Sequence, residues 1–504
     1  MNPVPSTRDL VVEAMHRHSL GGVAVAVTQK GKQPDVVCIG PAQEASGRPI
    51  TPATVFRIAS ISKTMTALGL MQLRDQGLFA LDDPVNHYLK GITVTPPPGG
   101  ADVTFRHLLT HTSGIGEMPS VPDLVRREAW GLARPGAAVA DLPRVYGGRL
   151  RTEVAAGSKW AYANHAFVLL GQLVEDISGV PFADYMRDRI FGPLKMPNTD
   201  YVRNERVAAE LAAGHHWILG RFRPVRDYDH TTLGAGSVLS SLTDMATYAA
   251  WLAGGGGVRR GSVVKAATLA EMMTPQYSID PRLPAMGLAF FLGACGEHTV
   301  AGHDGNNPGF ASAMLVAPSA GTGVVVLTNT ATMVGAHRLA STLLHSLLEV
   351  DEPADTMTRT GIPVQPQRWS DLTGCYAPDP GFLTNLRFWQ MMGGEVQIVV
   401  RKRRLTFQAL SPLSPLRHGV ELYPTDAEDP LQFACTLEGL VIPVVFERDP
   451  SGSVTRLFVG RPCNAILHRR PSWQSSRLRV RVASGVAMAI LHRARMRRER
   501  RRRA

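Results

Sequence analysis

Ser60-Ile61-Ser62-Lys63 sets a hydroxyl and an amine three residues apart. On a helix such a pair shares one face, with Cβ atoms about 5–6 Å apart. The serine can then attack a carbonyl carbon if a neighbouring amine of lowered pKa takes its proton. Backbone N–H groups and the positive end of the macrodipole at a helix N-terminus favour the negative charge that develops. By itself S-x-x-K arises by chance about once in a chain of this size, so a solvated helix face explains it equally well. Two more sets carry polar groups of the right kind. Tyr162-Ala163-Asn164 offers a phenol and an amide, although Asn164 alone reads as an N-cap and Tyr162 as a packed aromatic. His303-Asp304-Gly305-Asn306 offers an imidazole and a glycine, and alone reads as a turn ahead of a strand.

Elements must position these groups, and the hydrophobic pattern supplies them. Val23 to Thr28, the turn Lys30-Gly31-Lys32 and Val36 to Ile39 predict a hairpin. Ser60 to Gln76 has apolar residues near helical spacing and Gly77 where a C′ glycine would stop it. Thr104 can cap a short helix ending near Gly114, and Asn164 to Ser178 is strongly periodic up to Gly179. Ala311 to Val316 and Gly323 to Leu327 predict a second hairpin, followed by a helix across His337 to Leu348. Strands at both ends with helices between predict an α+β domain whose sheet is completed by distant chain ends. Residues 351–367 lack periodicity and carry three prolines, which marks a linker. Beyond it Glu395 to Val400, Leu405 to Leu410, Val441 to Phe446 and Val454 to Val459 predict a small all-β domain over 368–470.

Taken together, S-x-x-K, Y-x-N and a basic-x-Gly segment in this order resemble the serine β-lactamase and penicillin-binding-protein superfamily. The segments FRIASISKTMTAL, TFRHLLTHTSGI, GSKWAYANHAFVLLGQLVEDISG and GHDGNNPGFASAMLVAP are similar to blocks of its class C-like branch. That branch includes family VIII carboxylesterases, D-aminopeptidases and DD-peptidases. The resemblance covers roughly residues 10–350 and implies a β-lactamase/transpeptidase-like domain over 1–350, an antiparallel sheet flanked by helices plus a helical region. It implies Ser60 as acylated nucleophile, Lys63 as its partner in the base system and Tyr162 as second acid/base group. Asn164 would orient the substrate, Gly305 would let its backbone approach, and N–H groups of Ser60 and Asn306 would form the oxyanion hole. His303 stands where many members have the lysine of K-T-G. A largely neutral imidazole anchors a carboxylate less well than a permanent cation, which favours small esters or amides over anionic β-lactams. The segment 368–470 resembles the lipocalin-like modules of some members.

Gly234 to Ser237 and Ser240-Ser241-x-x-Asp244 resemble a loop and helix start bordering the cleft, with Ser241 and Asp244 read as capping residues. His111 in the HTSG run reads as a structural histidine near the cleft, outside the catalytic set. No G-x-S-x-G, H-E-x-x-H or P-loop sequence is present, so no cofactor and no metal site are expected.

The net charge of +12 over 504 residues looks like a nucleic-acid signal until it is located. Residues 477–504 hold eleven Arg against one Glu, a net +10, which leaves +2 for the first 476. No nucleic acid is therefore expected as a partner of the body. The tail, 471–504, could lie on anionic lipid as a peripheral membrane contact or form a solvated, partly helical extension. Five cysteines without a C-x-x-C pair suggest a reducing compartment. With no apolar h-region in the N-terminal residues and no bilayer-length apolar run, a cytoplasmic location is expected. The expected reading is a serine hydrolase of small-molecule esters or amides. Its alternatives are a D-amino-acid peptidase, DD-peptidase or weak β-lactamase, and a non-catalytic binding or scaffold protein that keeps the fold.

Overall fold

Two strands form where the first hairpin is expected, β1 (Val23–Gln29) and β2 (Asp35–Ile39), with Gly31 in the left-handed region at the turn. The computed structural model describes residues 5–256, 263–332, 334–351, 361–411, 414–461 and 464–474. Most of the Arg-rich tail and residues 352–360 of the expected linker lie outside the described residues. The chain divides into two compact units, Met1–Pro353 with Gly381–Thr384, and Ala354–Pro380 with Asn385–Ala504.

In the first unit a short hairpin, β3 (His215–Ile218) and β4 (Arg221–Pro224), precedes four strands that join β1. These are β5 (Phe291–Cys295), β6 (His298–Asn307), β7 (Phe310–Ala317) and β8 (Thr322–Thr328). The six-stranded antiparallel sheet runs β5-β6-β7-β8-β1-β2, so distant chain ends complete it as the α+β pattern predicts. β1, β7 and β8 are buried on both faces, which explains their near-continuous apolar sequences.

The helices flank this sheet. One layer contains α1 (Thr7–His18), opened by the capping box of Ser6 and Asp9, and the last helix of the unit, Gly335–Leu347. On the other side lies the larger core, built around α2 (Ser62–Asp75), α3 (Phe105–Leu109), α4 (Asn164–Ser178) and α5 (Leu242–Ala253). α2 is buried almost throughout, so its small polar residues must bond inside the protein. Thr66 Oγ1 donates to the Gly234 carbonyl at 2.7 Å and the Tyr201 hydroxyl donates to the Ser62 carbonyl at 2.9 Å. α3 is capped by Thr104 as expected, but stops at Leu109 rather than near Gly114. α4 ends at Ser178, with Gly179 left-handed beyond it.

One expected turn is a strand. His303-Asp304-Gly305-Asn306 lies inside β6, paired on one side with β5 as far as Gly302 and on the other with β7 through Asn307. Turn-forming residue types were outweighed by the neighbouring strand, because sheet pairing is a tertiary property that local propensity does not see.

The second unit carries the β-domain as one nine-stranded antiparallel sheet. Its two edge strands, Val420–Glu421 and Tyr423–Pro424, are separated in sequence only by Leu422, so the sheet curls into a nearly closed barrel. Tyr376, Phe407, Val444, Phe446, Leu457 and Leu467 fill its interior. Among the described residues, no single helix is long and apolar enough to cross a membrane.

Candidate active site

The chain enters the site through a short strand, Val55–Arg57, and a turn that starts at Ala59 with φ +49°. A non-glycine residue there stores about 1–2 kcal/mol, a local strain that the surrounding packing must offset. Ser60 follows in a single 3-10 turn, Ala59–Ile61, and α2 begins at Ser62. The two serines of the motif are thereby distinguished. Ser62 is fully buried, its Oγ donating to the Ala59 carbonyl at 2.5 Å and accepting from the Val238 N–H at 3.1 Å. Ser60 is only partly buried and its hydroxyl meets Lys63.

Lys63 has no exposed surface. Its Nζ donates to Ser60 Oγ at 3.0 Å, Asn164 Oδ1 at 2.8 Å and the Ala235 carbonyl at 2.6 Å. Those three acceptors match the three protons of an ammonium. The same nitrogen lies 4.9 Å from the centre of the Tyr162 ring. Asn164 is the first residue of α4 and makes no cap; its amide reaches sideways, Oδ1 to Lys63 and Nδ2 to Glu117 Oε1 at 3.0 Å. The N-cap alternative for Asn164 therefore fails.

Tyr162 is framed by His111. The His111 ring stacks on the Tyr162 ring with centroids 4.2 Å apart. The N–H of Ala163 donates to His111 Nδ1 at 3.1 Å, and the N–H of Ala161 donates to the His111 carbonyl at 2.8 Å. One residue thus fixes the backbone on both sides of Tyr162. His111 does so from φ +60°, fully buried.

β6 closes the opposite wall. A Cβ on Gly305 would lie 2.2 Å from the Ile58 carbonyl oxygen and 2.2 Å from Ser312 Oγ. The glycine is therefore required by the protein's own backbone next to Ser60, before any substrate is considered. The His303 ring is buried, 6.2 Å from that of Tyr162 and 5.0 Å from that of Phe291. Its Nδ1 lies 2.6 Å from the Asp304 carbonyl, which can only accept, so Nδ1 carries a proton. In the neutral form of such a ring Nε2 is the acceptor. Asn306 is exposed. The adjoining Asn307 donates from Nδ2 to the Gly236 carbonyl at 3.0 Å and to His230 Nε2 at 3.2 Å.

His230 is itself held. Burial pushes its imidazole down to about 3, with the Arg57 and Lys63 charges adding to the effect and Asp229 opposing it. Arg57, three residues before Ser60, is buried against Asp227 at 2.9 Å and the Tyr228 carbonyl, its guanidinium 4.0 Å above the Tyr228 ring. Trp160, Met286 and Phe291, with Tyr162, Tyr277 and Ile279 against them, make an apolar cluster beside Tyr162 and His303.

The structure thus gathers Ser60, Lys63, Tyr162 and Asn164, and sets His303 and Gly305 on the facing strand. Ser241 caps its helix as expected, its Oγ accepting from the Asp244 N–H, whereas the Asp244 carboxylate makes no cap and accepts instead from the Asn198 N–H and the Thr199 hydroxyl. Sequence reasoning missed Glu117 and His230, which no local signal marks, since each meets the site from far along the chain. The Gly234 to Ser237 loop borders the site as its resemblance implied, but nothing in it pointed to the Ala235 carbonyl as a partner of Lys63. His111 could have been found through its place in the HTSG run.

Comparisons with known proteins converge on one family. The family model described as Beta-lactamase matches residues 7–349. The chain is 28% identical to Penicillin-binding protein 4 of Amycolatopsis lactamdurans over 326 residues, covering 62% of this chain and 81% of that one. It is 29% identical to Esterase EstB of Burkholderia gladioli over 229 residues, 43% of this chain and 55% of that one. Other curated relatives are matched over about half their own length or less. Among solved structures, the octameric penicillin-binding protein homologue from Pyrococcus abyssi superposes with a TM-score of 0.59 at 22% identity, over 92% of this chain and 99% of that one.

Proposed function

The chain belongs to the beta-lactamase family, and from that premise we propose that it is a serine hydrolase cleaving small esters or amides through an acyl-enzyme on Ser60. The observation that carries the reading is the Lys63 ammonium, buried and bonded at once to Ser60 Oγ and Asn164 Oδ1. A buried cation beside a hydroxyl stabilises the alkoxide far more than it would in water. Since Lys63 donates to Ser60 in this geometry, the proton of the serine goes to a second base. In this reading Tyr162, as the phenolate, takes that proton, and its ring 4.9 Å from Lys63 Nζ supports the assignment.

Ser60 Oγ attacks the substrate carbonyl carbon, and N–H groups of Ser60 and Asn306 donate to the oxyanion. Tyr162 returns the proton to the leaving alcohol or amine, and a water then attacks the acyl-enzyme by the reverse sequence. His303 and the apolar cluster of Trp160, Met286 and Phe291 support uncharged acyl groups. An imidazole, unlike a lysine ammonium, offers no permanent cation for a substrate carboxylate.

A D-amino-acid peptidase is the second reading. Glu117, bonded to Asn164, puts a carboxylate beside the amide that would orient the substrate, and a carboxylate can receive a substrate amine. Hydrolysis of a short p-nitrophenyl ester, a D-amino-acid p-nitroanilide and a chromogenic cephalosporin by the wild type and Ser60→Ala separates the readings. Ester turnover lost in the variant supports the first. Anilide turnover alone supports the second, and equal turnover by both proteins removes Ser60 from the mechanism.

A further inference from the structure

The β3–β4 hairpin ends in an apolar tip that nothing in the first unit covers. Trp217, Ile218 and Leu219 are 43%, 48% and 90% exposed. They are consecutive at the tip, where Ile218 pairs with Arg221 and Trp217 with Phe222. Leu219 and Gly220 have φ +51° and +76°, the two left-handed positions of a type I′ turn. Asn, Asp or Gly is the ordinary residue at the first of them. A leucine there accepts strain in order to present an isobutyl group to the outside.

Charge accompanies the apolar tip. Arg221, Arg223 and Arg226 are exposed on the returning strand and just after it. None forms an ion pair among the described residues. The acidic side chains that follow, Asp227 and Asp229, are already engaged by Arg57 and Arg203. The root of the hairpin is fixed: the His215 N–H donates to the Asn329 carbonyl at 2.9 Å and the Val225 N–H to the Gly214 carbonyl at 2.8 Å. The tip is thus a free apolar projection on a rigid stem with three unneutralised arginines below it.

We infer that this hairpin is a docking element for an anionic lipid surface, with Trp217, Ile218 and Leu219 entering the headgroup boundary and the three arginines pairing with phosphates. Tryptophan over arginine is the arrangement a membrane interface favours. A two-stranded tip is also far smaller than the roughly 800 Å² that each partner of a standard protein interface buries. The stem returns to the chain within a few residues of His230, which bonds Asn307, so a docked hairpin would hold the catalytic unit at the source of a hydrophobic acyl substrate.

The test uses the full chain with vesicles of phosphatidylcholine, with and without one quarter phosphatidylglycerol, in flotation. Brominated phosphatidylcholine serves as a quencher of tryptophan. Binding to the anionic vesicles and quenching that is lost in Trp217→Phe are expected. Leu219→Asn, which suits the turn, should weaken flotation while leaving turnover of a water-soluble ester unchanged. Each of Arg221→Gln, Arg223→Gln and Arg226→Gln should lower partitioning roughly fivefold. Quenching of equal strength in Trp217→Phe would overturn the inference even if the Arg-rich tail floats the protein. So would an absence of flotation accompanied by self-association that Leu219→Asn abolishes, which would assign the tip to a protein surface.

Discussion

Asn164 holds its amide oxygen 2.8 Å from Lys63 Nζ and its amide nitrogen 3.0 Å from Glu117 Oε1. An ammonium only donates and a carboxylate only accepts, so the amide has a single allowed orientation. Asn164→Asp would set a second carboxylate against Glu117 and should lower kcat at least tenfold on a soluble ester. Combining it with Glu117→Gln restores a matched donor and acceptor, and the double variant should recover part of the loss. Strictly additive losses in the two-variant cycle would show that the Asn164–Glu117 bond does not matter to turnover.

Ser60→Ala should abolish ester hydrolysis and leave the protein folded. Lys63 keeps two of its three acceptors, so the thermal midpoint should stay within about 4 °C of the wild type, the shift that about 1 kcal/mol produces. A collapse of the midpoint would mean that the hydroxyl is structural.

Gly305→Ala pushes a methyl group into the Ile58 carbonyl and Ser312 Oγ. Neither the backbone before Ser60 nor the paired strand β7 can yield easily, so a loss of about 1–3 kcal/mol in urea unfolding is expected, together with lower kcat. An unchanged unfolding midpoint would show that β6 and the Ser60 turn can separate.

His111 makes two kinds of contact with the Tyr162 segment, and two variants part them. His111→Phe keeps a stacking ring and loses the acceptor for Ala163; His111→Asn keeps an acceptor, tolerates φ +60° and loses the ring. Both should reduce kcat about tenfold with little change in KM, and the alkaline limb of the kcat–pH profile should move. A purely structural histidine would change stability and leave that limb in place.

Acid should begin to destabilise the first unit as pH falls below about 6.5. His165 is buried with its Nδ1 2.8 Å from the Tyr146 hydroxyl, and desolvation pushes it from 6.5 down to about 4, outweighing the upward pull of Glu117. The unfolded chain therefore binds a proton from about pH 6.5 downward while the folded chain does not. The stability this group contributes is complete above pH 6.5 and is lost as pH falls toward 4, by up to about 1.4 kcal/mol per pH unit. His230 acts in the same direction. Urea unfolding at pH 7 and pH 5 measures it, and His165→Gln should flatten the slope.

Periodicity made the first unit legible. α4 and both hairpins of the sheet were readable because their apolar spacing and turn residues agree with the fold. S-x-x-K was readable because the 3-10 turn leading into α2 brings Ser60 and Lys63 together locally. The remainder depends on distant pairing. His303 to Asn306 read as a turn because strand character there comes from β7. Glu117 meets Asn164 and Ala235 meets Lys63 through contacts that no window of sequence contains.

Leu422, the one residue between the two edge strands of the β-domain, has a consequence for how the chain behaves at high concentration. A sheet whose first and last strands share one bend offers no long row of unpaired N–H and C=O groups to another molecule. Edge-to-edge aggregation is disfavoured by this topology, and Glu421 and Pro424 on the two edge strands add a charge and a missing N–H to the same effect.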